Sequence, residues 1–184
     1  MKVIKVVLIV LAVLVVLLIA VYAYYGGFSK VNFRIENQGG ETIVYENLTG
    51  DYSQSAKVGD RIYYTLLNDE KIEATKGIGI FYDNPKKVAK ENLRSEIGCI
   101  IENADSITLA KLTEKYQVKT LPHSEFVVTE FPFKGIISVF IGLIKVYPAL
   151  ENYYKENGYI ENPITEIYDV PNKKIIYRQE TNKK

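Results

Sequence analysis

The segment Ile80-Phe81-Tyr82-Asp83-Asn84-Pro85 returns, little altered, as Glu166-Ile167-Tyr168-Asp169-Val170-Pro171. The two tyrosines stand 86 residues apart, close to half of the chain beyond the N-terminal apolar run. In each copy a helical pattern precedes a strand-like stretch that ends in Tyr-Asp-x-Pro. A repeat on this scale constrains the fold more than composition does, because a missed repeat misreads the whole architecture. The expectation is an α+β fold. Two fused strand–helix–strand–strand units are related by a pseudo-two-fold and face each other across a groove suited to a small ligand.

The N-terminus carries a second strong signal. No charged residue occurs from Val6 to Ser29, and residues 6–23 are almost purely Val, Leu, Ile and Ala. About 20 apolar helical residues span the hydrocarbon layer of a bilayer. Tyr22, Tyr24 and Tyr25 come next, where an interfacial aromatic belt would lie. Val21-Tyr22-Ala23 also fits the cleavage rule of a signal peptide, but this apolar core exceeds the usual ~7–15 residues. Residues 1–25 are therefore read as the anchor of a single-pass membrane protein, 26–30 as a linker, 31–180 as the domain and 181–184 as a tail. Lys2 and Lys5 outweigh Lys30 and Arg34 too little to assign the side of the membrane on which the domain lies.

Lys+Arg number 23 against 22 Asp+Glu, and no dense basic stripe occurs, so nucleic acid is not an expected partner. A small-molecule ligand and the lipid membrane are the expected partners, with a protein partner left open. His123 is the only histidine and Cys99 the only cysteine, too few for a zinc site. No metal or cofactor is expected. Cys99 sits among Ile97, Ile100 and Ile101 and reads as an inert core thiol. No triad or thiol chemistry assembles, so no catalytic residue is assigned.

Residues 31–37 and 41–47 alternate as strands, with Gln38-Gly39-Gly40 as the loop of a hairpin. Asp51 or Ser53 then offers an N-cap, and Val58, Ile62, Leu66 and Leu67 recur at helical spacing. Residues 77–83 and 93–102 read as strands, and 105–116 as a short helix capped by Asp105 or Ser106. In the second half, 125–131 reads as a strand and 132–135 as a turn. Ile136, Val139, Phe140, Leu143, Tyr147, Leu150 and Tyr154 mark one face of a long helix, and 163–169 and 174–178 complete the unit as strands. Residues 135–144 carry no charge, which favours burial against the sheet, with contact to a nearby membrane as the alternative. Pro148 removes a backbone donor and should kink this helix near Lys145.

Fifteen tyrosines and no tryptophan make an excess of amphipathic rings. Alternation puts Ile164, Glu166 and Tyr168 on one strand face and Ile78, Ile80 and Tyr82 on the matching face of the first copy. Glu166 thus reads as a replacement of Ile80 at an inward position. An inward carboxylate costs several kcal/mol unless paired or hydrogen-bonded. It pairs with an internal group such as a tyrosine hydroxyl, or it meets a ligand. Tyrosines around a carboxylate suit cations or amphipathic aromatics. The candidate ligand-binding residues are Glu166, Tyr82 and Tyr168. Asp83 and Asp169, on the other face beside prolines, read as turn formers.

The run Gly79-Ile80-Phe81-Tyr82-Asp83-Asn84-Pro85, with Val88, Arg94 and Ile97-Gly98-Cys99-Ile100, resembles the first-half signature of GyrI-like small-molecule-binding domains. Val127-Val128-Thr129-Glu130-Phe131-Pro132-Phe133, Val146-Tyr147-Pro148-Ala149-Leu150-Glu151 and Pro163-Ile164-Thr165-Glu166-Ile167-Tyr168 continue the likeness. Within that family the sequence most resembles a membrane-anchored branch, the testis-expressed ER-phagy receptor family. The resemblance implies a GyrI-like fold with a ligand groove between its halves and an acid of the second-half strand facing the pocket, where Glu166 stands. It also implies that some distant relatives hydrolyse small electrophiles with that acid and a tyrosine. The receptor branch continues into a long tail with an autophagy-adaptor motif, whereas this sequence runs six residues past Arg178, so the resemblance does not carry ER-phagy over to it.

The reading is a membrane-anchored domain that binds a small cationic or amphipathic molecule at Glu166. One alternative is a tethered protein-interaction module using Ile137, Ile141 and the edge 31–37. The other is a hydrolase with Glu166 as general base.

Overall fold

In the computed structural model, which describes residues 2–102 and 104–183, an apolar helix α1 (Lys2–Tyr24) precedes a mixed α+β domain. Its first half contains β1 (Arg34–Gln38), β2 (Thr42–Thr49), α2 (Ser55–Asp69), β3 (Lys76–Phe81) and β4 (Arg94–Ile100). Then come α3 (Ser106–Lys115), β5 (Gln117–Thr120), β6 (Ser124–Pro132), α4 (Ile136–Asn157), β7 (Ile164–Asp169) and β8 (Lys174–Glu180). All pairings are antiparallel, in the order β1-β6-β8-β7-β3-β4-β2-β5. The repeat is plain in that order: β2-α2-β3-β4 and β6-α4-β7-β8 are the two units, and β3 meets β7 at the seam between them.

The seam corrects the alignment of the copies. The ladder sets Gly79 opposite Glu166, Gly77 opposite Tyr168 and Ile80 opposite Thr165. Directly opposed residues share a face of the sheet. Glu166 therefore shares its face with Gly77 and Gly79, and Ile80 points to the reverse side. The Tyr-Asp-x-Pro phrases match one residue out of step with the strands, and a slip of one exchanges the faces. Glu166 replaces Gly79, not Ile80.

β1 and β2 do not form the expected hairpin. They lie six strand positions apart, a span of about 29 Å in a flat sheet. Gln38 to Thr42 can reach only about 14 Å. The sheet must therefore curl until its two ends approach. The linking segments run side by side, the Gly40 N–H donating to the Leu121 carbonyl (2.8 Å) and the Leu121 N–H to that of Glu41 (2.9 Å). Leu121 closes over Ile43, Ile78, Ile80, Ile100 and Ile167 on the reverse face. Arg178, buried there, grips Glu41 with both terminal nitrogens at 2.7 and 3.0 Å. Burial opposes the Glu41 charge, but the guanidinium outweighs it and keeps the carboxyl below its ordinary range.

On the other face, α2 packs Val58, Ile62 and Leu66 onto Val44, Ile97 and Cys99. Asp51 caps the short 3-10 turn ahead of α2, accepting from the Ser53 N–H at 3.0 Å, and Asp105 caps α3 through Thr108 at 2.8 Å. The last turns of α4 bury the face that the apolar pattern marks, through Leu150 and Tyr154, but its first turns put a different side inward. Ser138, Gly142, Val146, Leu150 and Tyr154 are buried, while Ile136, Phe140 and Ile144 are exposed. The cause is close approach: a Cβ on Gly142 would lie 2.5 Å from the Tyr177 hydroxyl. In its first turns the small residues Ser138 and Gly142 let α4 settle onto the sheet, and Ile136, Phe140 and Ile144 are left outside.

Candidate functional site

Glu166 lies in the middle of β7, at the seam and beneath α4, with only 1% of its surface exposed. Tyr147 of α4 donates its hydroxyl hydrogen bond to one carboxylate oxygen at 2.7 Å. Tyr168 donates to the other. Tyr177, opposite Glu166 on β8, presents a buried hydroxyl with no partner among the described residues. Phe133 meets the Tyr168 ring edge-on at 5.7 Å. Gly79 supplies no side chain on the first-half side, and the Phe81 ring leans over it.

The electrostatics of this cluster are uncompensated. No lysine or arginine pairs with Glu166 among the described residues. Burial raises its pKa, opposed by the hydrogen bonds from Tyr168 and Tyr147. Burial also pushes the Tyr147 and Tyr168 hydroxyls well above the phenolic range, reinforced by the adjacent carboxylate. Both tyrosines therefore remain donors. Such a group can hold a proton at Glu166 or release it to balance an arriving positive charge.

Of the three residues singled out from the sequence, the structure brings together Glu166 and Tyr168. Tyr82 lies just past β3 on the reverse side, near Glu96 and Tyr45, its hydroxyl pushed up by burial and then by Glu96. Sequence reasoning missed Tyr147 and Tyr177 as members of the cluster. Tyr177 was within reach, because the tight turn between β7 and β8 fixes it opposite Glu166. Tyr147 belonged to the expected apolar helix face, and nothing local marks it as a partner for an acid. Cys99 is buried, its thiol pushed up to about 12 by desolvation, in keeping with an inert core role.

A cavity of about 510 Å³ lies elsewhere, at the mouth of the curled face, lined by Glu41, Lys76, Glu102, Ile167 and Asp169 among others. Its carboxylates already have partners. Glu41 has Arg178, Glu102 has Lys76 (2.7 Å) and Thr75 (2.8 Å), and Asp169 holds Asn172 at 3.0 and 2.9 Å. The cavity and the uncompensated acid are thus in different places.

Comparison with known proteins points the same way for the fold. Residues 32–181 match the family described as GyrI-like small molecule binding domain. Testis-expressed protein 264 homolog of Mus musculus is 29% identical over 133 residues, 69% of this chain and 41% of that protein. Testis-expressed protein 264 of Homo sapiens is 32% identical over 99 residues, covering 50% and 32%. The chain thus spans less than half the length of these relatives. Among solved structures, a complex of EcmrR with DNA superposes with a TM-score of 0.61 at 13% identity, covering 84% of this chain and 58% of that one. The structure of SAV2435 bound to tetraphenylphosphonium gives 0.53 at 16%, covering 80% and 90%. At such identities the likeness is one of fold.

Proposed function

This chain belongs to the GyrI-like small-molecule-binding family, and from that premise we propose that it holds a small hydrophobic cation at Glu166, on a domain tethered to a membrane by α1. The observation that carries the reading is a carboxyl group 1% exposed whose hydrogen-bond partners are two tyrosine hydroxyls and beside which no positive charge stands among the described residues. An uncompensated buried carboxylate is costly, and a ligand cation flanked by aromatic rings offsets that cost. Tyr147 and Tyr168 form the walls, donating to the carboxylate while their rings meet the ligand.

Entry requires one of these rings to swing aside. Tyr147 stands immediately before Pro148, which cannot donate to the Ile144 carbonyl, so this turn of α4 lacks one backbone bond. It is the natural place for the wall to open. α1, 23 residues long with none buried, extends about 35 Å, enough to cross a bilayer core of about 30 Å.

The test uses tetraphenylphosphonium, the ligand in one structure of the same fold. Thermal unfolding of the full chain should shift upward, by about 2.7 kcal/mol of stability when the ligand is at a hundredfold excess over Kd. Because the bound cation favours ionised Glu166, affinity should rise with pH up to the raised pKa of that carboxyl and then level off. Glu166→Gln should lose at least about tenfold in affinity together with the pH dependence. The neutral analogue triphenylphosphine oxide should not show that dependence. Absence of any shift between pH 5 and 9 overturns the reading.

A further inference from the structure

The first turns of α4 present Ile136, Ile137, Phe140 and Ile144 outward, with Phe140 at 60% and Ile144 at 75% exposure. These positions fall on one stripe of the helix, opposite buried Ser138 and Gly142. Single exposed apolar residues are ordinary, but a contiguous stripe marks a contact surface. Residues 135–144 contain no charge to hold the stripe in water.

What lies beside it identifies the occupant. The chain leaving α1 is fastened to both flanks of this segment. Lys134 donates to the Tyr24 carbonyl at 2.9 Å and lies 4.3 Å from the centre of the Tyr24 ring. Lys145 donates to the carbonyls of Gly27 (2.5 Å) and Ser29 (2.6 Å). A Cβ on Gly26 would come within 3.1 Å of the Phe131 ring. Phe28, beside these ties, is itself exposed. Both lysines that flank the stripe are therefore spent on backbone carbonyls at the end of the anchor, and the uncharged stripe is held close to where the anchor ends.

We infer that the first turns of α4 lie in the interfacial layer of the same bilayer that α1 spans, with Ile136, Ile137, Phe140 and Ile144 among the lipid chains. The inference rests on reading α1 as the membrane span. A helix with an apolar face and polar opposite groups lies flat in this layer. Here the ties from Lys134 and Lys145 fix which face meets lipid, and the domain is seated on the membrane rather than swinging from a leash. Tyr147 stands on the next turn, so the wall of the Glu166 cluster lies beside the interface.

The chain has no tryptophan, so one introduced indole reports its own surroundings. The full chain is reconstituted in dioleoylphosphatidylcholine vesicles, or in the same lipid brominated across its acyl-chain double bonds. Phe140→Trp and Ile144→Trp should emit at blue-shifted wavelengths and be quenched about twofold by brominated lipid. Leu14→Trp, within α1, should be quenched as well, and Tyr64→Trp, exposed on α2, should not. Quenching at Leu14 with water-like, unquenched emission at both α4 positions overturns the seat and leaves the anchor standing. Lack of quenching at Leu14 removes the anchor and the seat with it. Blue-shifted emission at the α4 positions without quenching means that protein, such as a second copy, covers the stripe, and also overturns the inference. Unchanged far-ultraviolet dichroism establishes that each variant is folded.

Discussion

Two glutamates are buried in the same sheet, on opposite faces and in different halves. Glu96 on β4 is 9% exposed and Glu166 on β7 is 1% exposed. Each keeps company with tyrosines: Glu96 with Tyr82 and Tyr45, Glu166 with Tyr147 and Tyr168. The difference is a single cation. Lys119 pairs with Glu96 and places its ammonium 4.7 Å from the centre of the Tyr45 ring. Nothing equivalent reaches Glu166 among the described residues. A buried acid with its own lysine completes a structural contact. One that has only hydroxyl donors is left with a charge that burial disfavours, and this separates a compensated acid from the acid proposed to meet a ligand.

The comparison is broken most severely by stripping Glu166 of both donors. Tyr147→Phe with Tyr168→Phe should cost about 3–5 kcal/mol at pH 8, since hydrogen bonds to charged groups contribute about 1.5–3 kcal/mol each. The loss should shrink at pH 5, where the carboxyl more readily takes a proton. Urea unfolding at the two pH values measures both, and an equal cost at each would mean that Glu166 does not ionise in the fold. Removing the lysine from the other site comes next. Lys119→Met should cost about 1–2 kcal/mol, below the usual figure for a broken buried pair because Lys119 is about one-third exposed. A cost near zero would strip Glu96 of its role as the compensated member.

The smallest effect carries the opposite sign. Burial raises the Glu166 pKa above its unfolded value, so the folded chain keeps this proton to higher pH than the unfolded chain does. Stability from that proton is complete below the ordinary carboxyl range and is lost as pH rises toward the raised native value. Glu166→Gln should abolish this slope, leave stability at pH 4 almost unchanged and add on the order of 1 kcal/mol at pH 7. That corresponds to about 2–4 °C in Tm. Destabilisation by the same substitution at pH 7 would place Glu166 with Glu96 among the structural acids.

Most of the fold was legible because it is written in local patterns. The period of Val58, Ile62 and Leu66, the cap at Asp105 and the alternation before each Tyr-Asp-x-Pro all reappear as elements. Pairing was less legible. Gln38-Gly39-Gly40 looks like a hairpin loop, yet it crosses between sheet ends, because strand partners are set by the repeat and not by proximity in sequence. The inward position of Glu166 was readable from alternation, but its counterpart was not. The resemblance between Tyr82 and Tyr168 outlived a one-residue shift that reversed the face. On α4 the apolar count pointed to Ile136 and Phe140, whereas close approach at Gly142 decided what is buried. Side-chain size at the contact overrode hydrophobicity.

The paired segments that stitch the two sheet ends together also set a timetable for the nascent chain. β1 is made directly behind α1, but its ladder partner β6 is made only after both α2 and α3. β1 therefore waits as an unpaired edge through the synthesis of the first half. Arg178 and Glu41, which close the curl, are separated by almost the whole domain and meet only once β8 has been made. Contacts of such long sequence separation are slow to form. The residues that follow α1 are therefore made well before the partners that secure them, and until then they are a segment open to chaperones, proteases and mispairing.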